Sequence, residues 1–361
     1  MTATPPLPAI PAHLSADALA LLKRLIATPS FSRQEDKTAD LIDAFLRERH
    51  IPTERLKNNV WARNRHFDPA KPTLLLNSHH DTVKPNTAWT LDPFTPLEQD
   101  GKLFGLGSND AGGCLVSLIA TFVHYYDQPE MAYNIVLVAS AEEEVSGRDG
   151  LELVLPLLPP LAFAIVGEPT EMQLAIAEKG LLVLDCVAHG VSGHAAREEG
   201  DNAIYHALRD INWLTTYQFP NVSPTLGPIK MSVTIIQAGT QHNVVPDQCT
   251  FTIDVRVTEQ YTLQEVIDTI QANLVSTVQP RSVRLKPSSI PVDHPIVQAG
   301  LALGRHTYGS PTTSDQAVLD CPSLKCGPGH SGRSHSADEF LYLHEIEGGI
   351  TGYVQMLSGV L

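Results

Sequence analysis

The segment Asn134-Ile-Val-Leu-Val-Ala-Ser-Ala-Glu-Glu-Glu-Val-Ser-Gly147 is the stretch from which the fold class follows. Its first half is a continuous apolar and β-branched run, typical of a strand that is buried on both faces of a parallel sheet. Three acids, Glu142 to Glu144, come directly after it. In α/β sheets the ligand crevice lies beyond the carboxyl ends of the strands, and adjacent carboxylates there need a compensating positive charge. Taken alone, the three acids fit a solvated loop better than a site.

The composition is that of a globular protein with room for two domains: 361 residues, 43% of them hydrophobic and 18% charged. A formal net charge of −15 argues against a nucleic-acid or anionic-membrane partner, because both require a basic surface. The Pro-rich lead, Met1–Pro11, has the features of neither a signal peptide nor a transit peptide, and no apolar run is long enough to span a bilayer. Five scattered cysteines without a CxxC pair predict reduced thiols in a cytoplasmic protein.

Strands that alternate with helices predict an α/β layer with a mostly parallel sheet. The predicted strands are Thr73–Asn77, the run from Asn134, and Ala162–Val166. The predicted helices are one capped by Ser15 and ending near Ile26, one around Ala39–Leu46, one over Cys114–Tyr126 and one over Gly150–Leu158. From about Asp293 the pattern resumes with a helix over Pro295–Tyr308, a strand at Ser323–Cys326 and a helix over Leu343–Met356.

The pattern changes near residue 179, where the order of predicted elements becomes βαββαβ. These elements are Gly180–His189, Asn202–Thr216, Met231–Ala238, Cys249–Val257, Leu263–Val275 and Ser282–Lys286. This order is that of the ferredoxin-like split unit, which can form a two-layer core of its own. We therefore predict a second domain inserted into the first, with a catalytic domain at 1–178 and 288–361 and an insert at 179–287.

Candidate metal ligands gather at the predicted strand ends and in one later loop. They are His79 with Asp81, then Asp110, Glu143 with Glu144, Glu168, and His335. Histidine and carboxylate ligands without cysteine suit zinc in catalytic sites, where an open position keeps a water. The interiors of the strands predicted at Thr73–Asn77, from Asn134 and at Ala162–Val166 are uncharged, so such a gathering at their ends is improbable by chance. The interpretation of Glu142 to Glu144 as a solvated loop therefore loses most of its weight.

These motifs resemble those of the two-zinc amidohydrolases, the family that includes acetylornithine deacetylase, succinyl-diaminopimelate desuccinylase and glutamate-releasing carboxypeptidases. The resemblance covers nearly the whole chain. The matching stretches are His79-x-Asp81, Asp110 before Gly-Gly, Glu143-Glu144, Gly167-Glu168-Pro169-Thr170, Asn243-Val-Val-Pro246, Asp254-x-Arg256 and His335-x-x-Asp-Glu339. The resemblance implies a zinc-aminopeptidase-like catalytic domain with an inserted ferredoxin-like dimerisation domain.

The resemblance also implies two divalent metal ions per subunit, zinc or possibly cobalt, with Asp110 bridging them. His79 and Glu168 would complete one metal site, and Glu144 and His335 the other. Asp81 would accept the second ring N–H of His79 and so fix its tautomer. Glu143 would be the general base, which takes a proton from water and hands it to the leaving amine.

For the insert, the resemblance implies a homodimer in which His194 reaches the active site of the other subunit and stabilises the tetrahedral oxyanion. Asn243 would also be offered across the dimer, and Arg256 would grip a substrate carboxylate. The remaining residues implied to line the substrate pocket are Lys179, Thr313, Ser314, Gly327 and Gly329.

The implied reaction is hydrolysis of the amide bond of an N-acyl amino acid. Lys179 stands where the desuccinylase has an arginine, which favours N-acetylornithine, giving ornithine and acetate in arginine biosynthesis. His330 and Arg333 are further basic groups that could reach an acyl carboxylate. The alternatives are a desuccinylase of succinyl-ornithine, succinyl-citrulline or succinyl-diaminopimelate, and a di- or tripeptidase. From a different class, an inactive metal- or ligand-binding relative is disfavoured because Glu143 and every ligand position are present.

Several residues have plainer interpretations. Asp338 and Glu339 read as the start of a helix, and His80 as a packing histidine. Gly105-Leu-Gly107 is not a nucleotide-binding loop, because the third glycine of that fingerprint falls on Asp110, whose charge would repel a pyrophosphate.

Overall fold

A computed structural model describes residues 11–361, so the prediction that the chain lacks a signal or transit peptide falls on residues 1–10, outside the described part. Residues 11–361 form the following α-helices: α1 (Ala12–Ile26), α2 (Asp36–Arg47), α3 (Gly113–Tyr125), α4 (Leu151–Val154), α5 (Ala203–Thr216), α6 (Leu263–Asn273), α7 (Pro295–Ala302) and α8 (Leu343–Ser358). Within this range, no helix has the length and apolar character needed to cross a membrane.

The strands of the described residues are β1 (Glu54–Leu56), β2 (Asn59–Arg63), β3 (Thr73–His79), β4 (Leu97–Gln99), β5 (Lys102–Phe104), β6 (Asn134–Ser140), β7 (Leu161–Val166), β8 (Leu174–Glu178), β9 (Gly180–His189), β10 (Gly193–His194), β11 (Lys230–Ala238), β12 (Val244–Val245), β13 (Gln248–Val257), β14 (Thr277–Pro280), β15 (Ser288–Ser289), β16 (Thr307–Ser310), β17 (Ser323–Lys325) and β18 (Phe340–Tyr342). The chain divides into two compact units. The first contains residues 11–176, 290–308 and 314–361, and the second contains 177–289 with 309–313.

The first unit is built on a mixed sheet with the strand order β1-β2-β6-β3-β7-β17-β8. Strands β6, β3, β7 and β17 are mutually parallel, and both β6 and β3 are buried along their whole length. Successive side chains of a strand point to opposite faces. Accordingly, Leu74 and Leu76 join a core with α1, α3 and α8, whereas Leu75 joins a second core with α4. The predicted α/β class with a mostly parallel central sheet is confirmed.

The second unit has the ferredoxin-like arrangement. Its antiparallel sheet has the order β11-β13-β9-β14, and α5 and α6 contribute to the same apolar core. Strand β9 alternates strictly between buried and half-buried residues, as a sheet with one covered face requires. Both helices begin at side-chain caps: Asn202 accepts the N–H of Ile204, and Thr262 forms a reciprocal capping box with Glu265.

Three predicted boundaries were wrong. Helix α1 begins at Ala12 after Pro11 rather than at a Ser15 cap, and it buries Leu14 as part of its apolar face. Helix α7 ends at Ala302 instead of Tyr308, because Gly304, at φ +79°, adopts the left-handed conformation that terminates helices. The last strand of the second unit's four-stranded sheet is Thr277–Pro280, whereas the predicted segment Ser282–Lys286 is a loop.

The sequence patterns also missed a small antiparallel sheet of β4, β5 and β18 in the first unit. Its strands are three residues long, too short to show a period. Glu339, predicted to start a helix, is instead a buried residue immediately before β18. That prediction was wrong, and the acid has a different environment, described below.

Candidate active site

The parallel strands bring three ligand-bearing segments to one edge of the first unit's sheet. His79 is the last residue of β3 and pairs in register with Ser140, the last residue of β6. Strand β7 lies on the other side of β3, with Val166 opposite Asn77, and leads into Glu168. Because the carboxyl ends of parallel strands share one edge, the side chains that follow them converge there.

Asp110 lies at the centre of this convergence, with each carboxylate oxygen facing a different histidine. Its Oδ1 is 3.3 Å from Nε2 of His79, and its Oδ2 is 3.6 Å from Nε2 of His335. The same nitrogen of His335 lies 2.9 Å from Oε2 of Glu144. On the other side, Nε2 of His79 is 3.9 Å from Oε1 of Glu168. The geometry thus forms two half-sites that share one carboxylate.

Glu143 lies in the half-site of His79, with its Oε2 4.0 Å from Nε2 of that histidine. Two groups therefore have their possible ligand atoms within 4.8 Å of one another: His79, Asp110 and Glu144, and His79, Glu143 and Glu168. Distances alone thus place Glu143 as close to a metal position as the predicted ligands.

Asp81 is fully buried and organises the neighbouring backbone. It accepts the N–H of Glu143 at 3.0 Å, the N–H of Glu144 at 3.2 Å and the hydroxyl of Ser32 at 2.7 Å. Nδ1 of His79 lies 3.0 Å from the main-chain oxygen of Asp81 and 3.4 Å from its carboxylate. Burial alone would raise the pKa of Asp81, but the contact with His79 holds that pKa below its ordinary value.

Positive charge is scarce among these carboxyl groups. Burial raises the pKa of Glu143 well above its ordinary value, and burial with the charge of Asp110 raises the pKa of Glu168 to about 8. Burial would lower the pKa of His79, yet hydrogen bonds to carboxylates raise it well above the usual range. The hydrogen bond to Glu144 raises the pKa of His335 to about 9. The carboxyl groups of this cluster thus outnumber its histidines.

Divalent cations fit this arrangement. The donors are imidazole nitrogens and carboxylate oxygens without a thiolate, a set that suits zinc and similar divalent ions in catalytic sites. A bound cation is the largest local charge in its site and would supply positive charge among these carboxylates. Residues His79, Asp110, Glu144, Glu168 and His335 are thus able to hold a metal pair.

Two of the predicted residues of the second unit, His194 and Asn243, lie next to each other. His194 is exposed on β10, which pairs with β12, and the N–H of Ala195 donates to the carbonyl of Asn243 at 3.0 Å. Nδ1 of His194 accepts the N–H of Ala196 at 3.1 Å. In the neutral ring the proton is therefore on Nε2, which leaves an N–H donor available.

Three other predicted residues form a second cluster in that unit. The guanidinium of Arg256 donates to both carboxylate oxygens of Asp254, at 2.8 and 3.1 Å, and to the hydroxyl of Thr313 at 3.2 Å. That hydroxyl in turn donates to the carbonyl of Lys179 at 3.3 Å. Nζ of Lys179 donates to the carbonyl of Pro228 at 2.7 Å. Burial and the nearby cationic groups lower the pKa of Lys179.

The remaining predicted residues belong to the first unit. Ser314 caps a short helical turn by accepting the N–H of Gln316. A side chain at Gly327 would come within 2.7 Å of the carbonyl of Glu168, and one at Gly329, where φ is +88°, within 2.5 Å of Oδ1 of Asn109. Both glycines therefore allow close packing of the loops that carry the candidate ligands, whatever their role towards substrate.

Arg333 is bound elsewhere, since its guanidinium donates to both oxygens of Glu345 at 2.7 and 3.2 Å. Sequence reasoning missed three polar residues beside the candidate ligands: the half-buried Ser32 and the buried Asn109 and Glu339. In the sequence, only the positions of Asn109 and Glu339 near candidate ligands could have indicated a role. Asn109 directly precedes Asp110, and Glu339 lies four residues after His335.

Known proteins resemble this chain in both sequence and fold. Residues 75–359 match the sequence model of peptidase family M20/M25/M40. The chain is 28% identical to an acetylornithine deacetylase of Proteus mirabilis, over 91% of this chain and 92% of that protein. It is 27% identical to a succinyl-diaminopimelate desuccinylase of Corynebacterium glutamicum, over 90% and 92% of the two chains.

Solved structures show the same fold. Aminopeptidase PepT from Bacillus cereus superposes with a TM-score of 0.75 at 15% identity, covering 96% of this chain and 98% of the other. The YXEP protein of Bacillus subtilis, described as a dinuclear metal-binding peptidase, superposes with a TM-score of 0.73 at 18% identity, again covering 96% and 98%.

Proposed function

The chain belongs to peptidase family M20/M25/M40 and is a metallo-hydrolase, and from this premise we propose that it hydrolyses the amide bond of an N-acyl amino acid, N-acetylornithine in the first place. The observation that carries the proposal is the position of Asp110, whose two oxygens face His79 and His335 separately. Such a carboxylate is suited to bridge two metal ions, and a metal pair is suited to amide hydrolysis.

The proposed ligands are His79 and Glu168 in one half-site, Glu144 and His335 in the other, and Asp110 in both. When bound, two divalent ions would supply Lewis-acid activation of the scissile carbonyl and of the attacking water. We propose zinc, with cobalt as a possible substitute. The protein supplies the rigid frame: Asp81 orients the backbone of Glu143 and Glu144 together with His79.

Glu143 is the proposed general base. It removes a proton from the attacking water and returns it to the leaving nitrogen, so that the product amine departs neutral. Its position supports this role, because its Oε2 lies 4.0 Å from Nε2 of His79, beside the half-site where the attacking water would be held. Asp81 accepts the backbone N–H of Glu143 and thereby holds the residue at the edge of the sheet.

His194 is proposed to stabilise the oxyanion that forms on substrate held by a second copy of the chain. Its Nε2–H donor supports this role. Exposed apolar side chains of the second unit support a homodimer: Ile235 and Ile236 on the edge strand β11, and Tyr205 and Leu208 one turn apart on α5. Sedimentation tests this proposal, since a fully active monomer would exclude the cross-subunit role.

Substrate recognition is proposed to use Arg256, Asn243, Lys179, Thr313, Ser314, Gly327 and Gly329. The hydrogen-bonded cluster of Lys179, Thr313 and Arg256 supports this for three of them, because the hydroxyl of Thr313 links the guanidinium of Arg256 to the backbone of Lys179. A cytoplasmic location and a role in arginine biosynthesis complete the proposal. The alternative is that the chain is a desuccinylase. The similarity to the succinyl-diaminopimelate desuccinylase of Corynebacterium glutamicum supports this alternative.

The deciding experiment is a kinetic comparison on purified protein loaded with zinc or cobalt. N-acetylornithine, N-succinylornithine, N-succinyl-diaminopimelate and a dipeptide are assayed for release of a primary amine. The proposal expects the highest kcat/KM with N-acetylornithine. A preference for a succinyl substrate would replace it with the desuccinylase, and a preference for the dipeptide with a peptidase. Turnover of none of them would indicate an inactive relative.

A further inference from the structure

Glu339 is a buried carboxylate, 2% exposed, that receives three backbone hydrogen bonds from the segment carrying Asp110. Its Oε1 accepts the N–H of Asn109 at 2.7 Å and that of Asp110 at 2.9 Å, and its Oε2 accepts the N–H of Gly107 at 3.1 Å. Its main-chain oxygen accepts the N–H of Gly105 at 3.0 Å. One residue thus binds the whole turn that leads into Asp110.

The turn has an irregular backbone that needs such an acceptor. Gly107 has φ +74°, and Asp110 and Ala111 depart from helical angles within the turn. N–H groups before the first full helical turn lack carbonyl acceptors four residues earlier, and a buried N–H without a partner is unfavourable. Glu339 provides that partner from a distant part of the chain.

Asn109 connects the same turn to the loop that carries His335. It is fully buried, its Nδ2 donates to the carbonyl of His330 at 3.2 Å, and its Oδ1 accepts the N–H of His330 at 3.0 Å. Its Nδ2 also lies 3.4 Å from the hydroxyl of Ser334. The residue before one candidate ligand is therefore bonded to the loop before another.

His335 depends on such connections. Its side chain is 55% exposed and its backbone has φ +58°, so burial does not hold the ring in place. We infer that Glu339 and Asn109 are positioning residues, which set the separation of Asp110 and His335 and so preorganise the site for metal. The inference rests on the proposed metal centre and is independent of the proposed substrate.

The test is zinc binding by metal-free protein in competition with a chromogenic chelator. Glu339→Gln keeps the shape of the side chain but places an amide NH2 where Oε2 accepts the N–H of Gly107. We expect zinc affinity to fall about 10- to 100-fold, as for other residues that orient metal ligands. In steady-state assays at saturating zinc, kcat is expected to fall while KM for substrate stays the same.

Glu345→Gln is the matched control. Glu345 is another carboxylate of the same region, whose partners are the guanidinium of Arg333 and the N–H of Tyr342 at the start of α8. We expect this variant to lower Tm but to leave zinc affinity unchanged. Asn109→Ala gives a second route to the same result should Glu339→Gln not fold, and it is also expected to weaken zinc binding.

The outcomes separate the two proposals. If wild-type protein binds no zinc, the proposed metal centre fails. If wild-type protein binds zinc and Glu339→Gln or Asn109→Ala binds it equally well, the positioning role is excluded. Equal losses of zinc affinity in Glu339→Gln and Glu345→Gln would also exclude it, since a general loss of stability would then be sufficient.

Discussion

The carboxylate of Asp81 accepts the backbone N–H of Glu143 at 3.0 Å. Its other oxygen accepts the N–H of Glu144 at 3.2 Å, and His79 contacts the same residue. One buried acid therefore joins the ends of two neighbouring parallel strands, β3 and β6. Asp81 holds the backbone of both Glu143 and Glu144 in position. The proposed roles of their side chains differ, since Glu143 is the general base and Glu144 a metal ligand.

Asp81→Asn should therefore lower the catalytic activity while the protein still folds. An asparagine keeps one acceptor oxygen but turns an NH2 towards a backbone N–H or the hydroxyl of Ser32. We expect kcat to fall about 10- to 100-fold, the usual effect of losing a residue that orients metal ligands. Steady-state kinetics at saturating metal measure the change. Ser32→Ala, which removes a single hydrogen bond to Asp81, should cost less, and an equal loss would contradict this ranking.

Glu143→Ala distinguishes a base from a ligand. Glu143 lies as close to His79 as Glu168 does, so distance alone does not separate the two roles. As a general base it contributes about two to four decades of kcat, and both metal ions should remain in the variant. Elemental analysis of the purified protein, together with kcat, measures both quantities. Loss of both ions from a folded variant would refute the assignment.

Arg256→Lys should raise KM for substrates that carry a carboxylate, because a carboxylate bound there would take the two parallel hydrogen bonds that Asp254 accepts in this structure, and lysine cannot donate two such bonds. Hydrogen bonds to charged groups contribute about 1.5–3 kcal/mol, which corresponds to roughly a 10- to 100-fold rise. Arg281→Lys is the control, since Arg281 makes a similar two-bond pair with Asp185 in the same unit. If both variants change KM equally, or neither does, Arg256 does not bind substrate.

Protonation of His80 should lower the free energy of unfolding of the protein at acidic pH. It is buried with Nε2 2.8 Å from the carbonyl of Asn58 and Nδ1 2.9 Å from the hydroxyl of Thr38, and burial lowers its pKa to about 4. Because the unfolded chain binds this proton more readily, the stability that neutral His80 contributes is present above about pH 6.5 and is lost as the pH falls towards 4.

The loss attributable to His80 is on the order of 3 kcal/mol, at about 1.4 kcal/mol for each pKa unit. Urea unfolding of wild type and His80→Gln between pH 4 and pH 7 measures it as the difference between the two pH profiles. The variant should show the shallower acid decline. Parallel profiles would mean that other groups cause the decline.

Much of the fold could be predicted because the apolar residues of many helices and strands recur with the period of the element they form. Strand β9 alternates regularly, so its predicted bounds agree with the structure, Gly180–His189. His79, Glu144 and Glu168 follow buried strands, and the geometry of parallel sheets brings such residues together. Asp110 and His335 were also predicted as candidates from their residue types, but their assignment to shared and separate metal sites needed the family resemblance, because no parallel strand of the sheet leads directly into them.

The errors have physical causes as well. Asp338-Glu339 before apolar residues has the composition of a helix start, but the burial that makes Glu339 an acceptor comes from contacts with residues over 200 positions away. The end of α7 depended on Gly304 adopting a left-handed conformation, which the apolar periodicity of Pro295–Tyr308 did not reveal. Local patterns contain no information on such distant or single-residue effects.

The candidate ligands lie on both sides of the inserted unit in the chain, with Glu168 before it and His335 after it. During synthesis, the ribosome makes the entire insert between these two ligands. A nascent chain therefore holds several donors but not the complete site, and contacts of such large sequence separation form late in folding. Metal acquisition should accordingly follow folding rather than guide it. A cell short of metal would then accumulate a folded apo-protein, and the proposed metal centre would be loaded after the chain has folded.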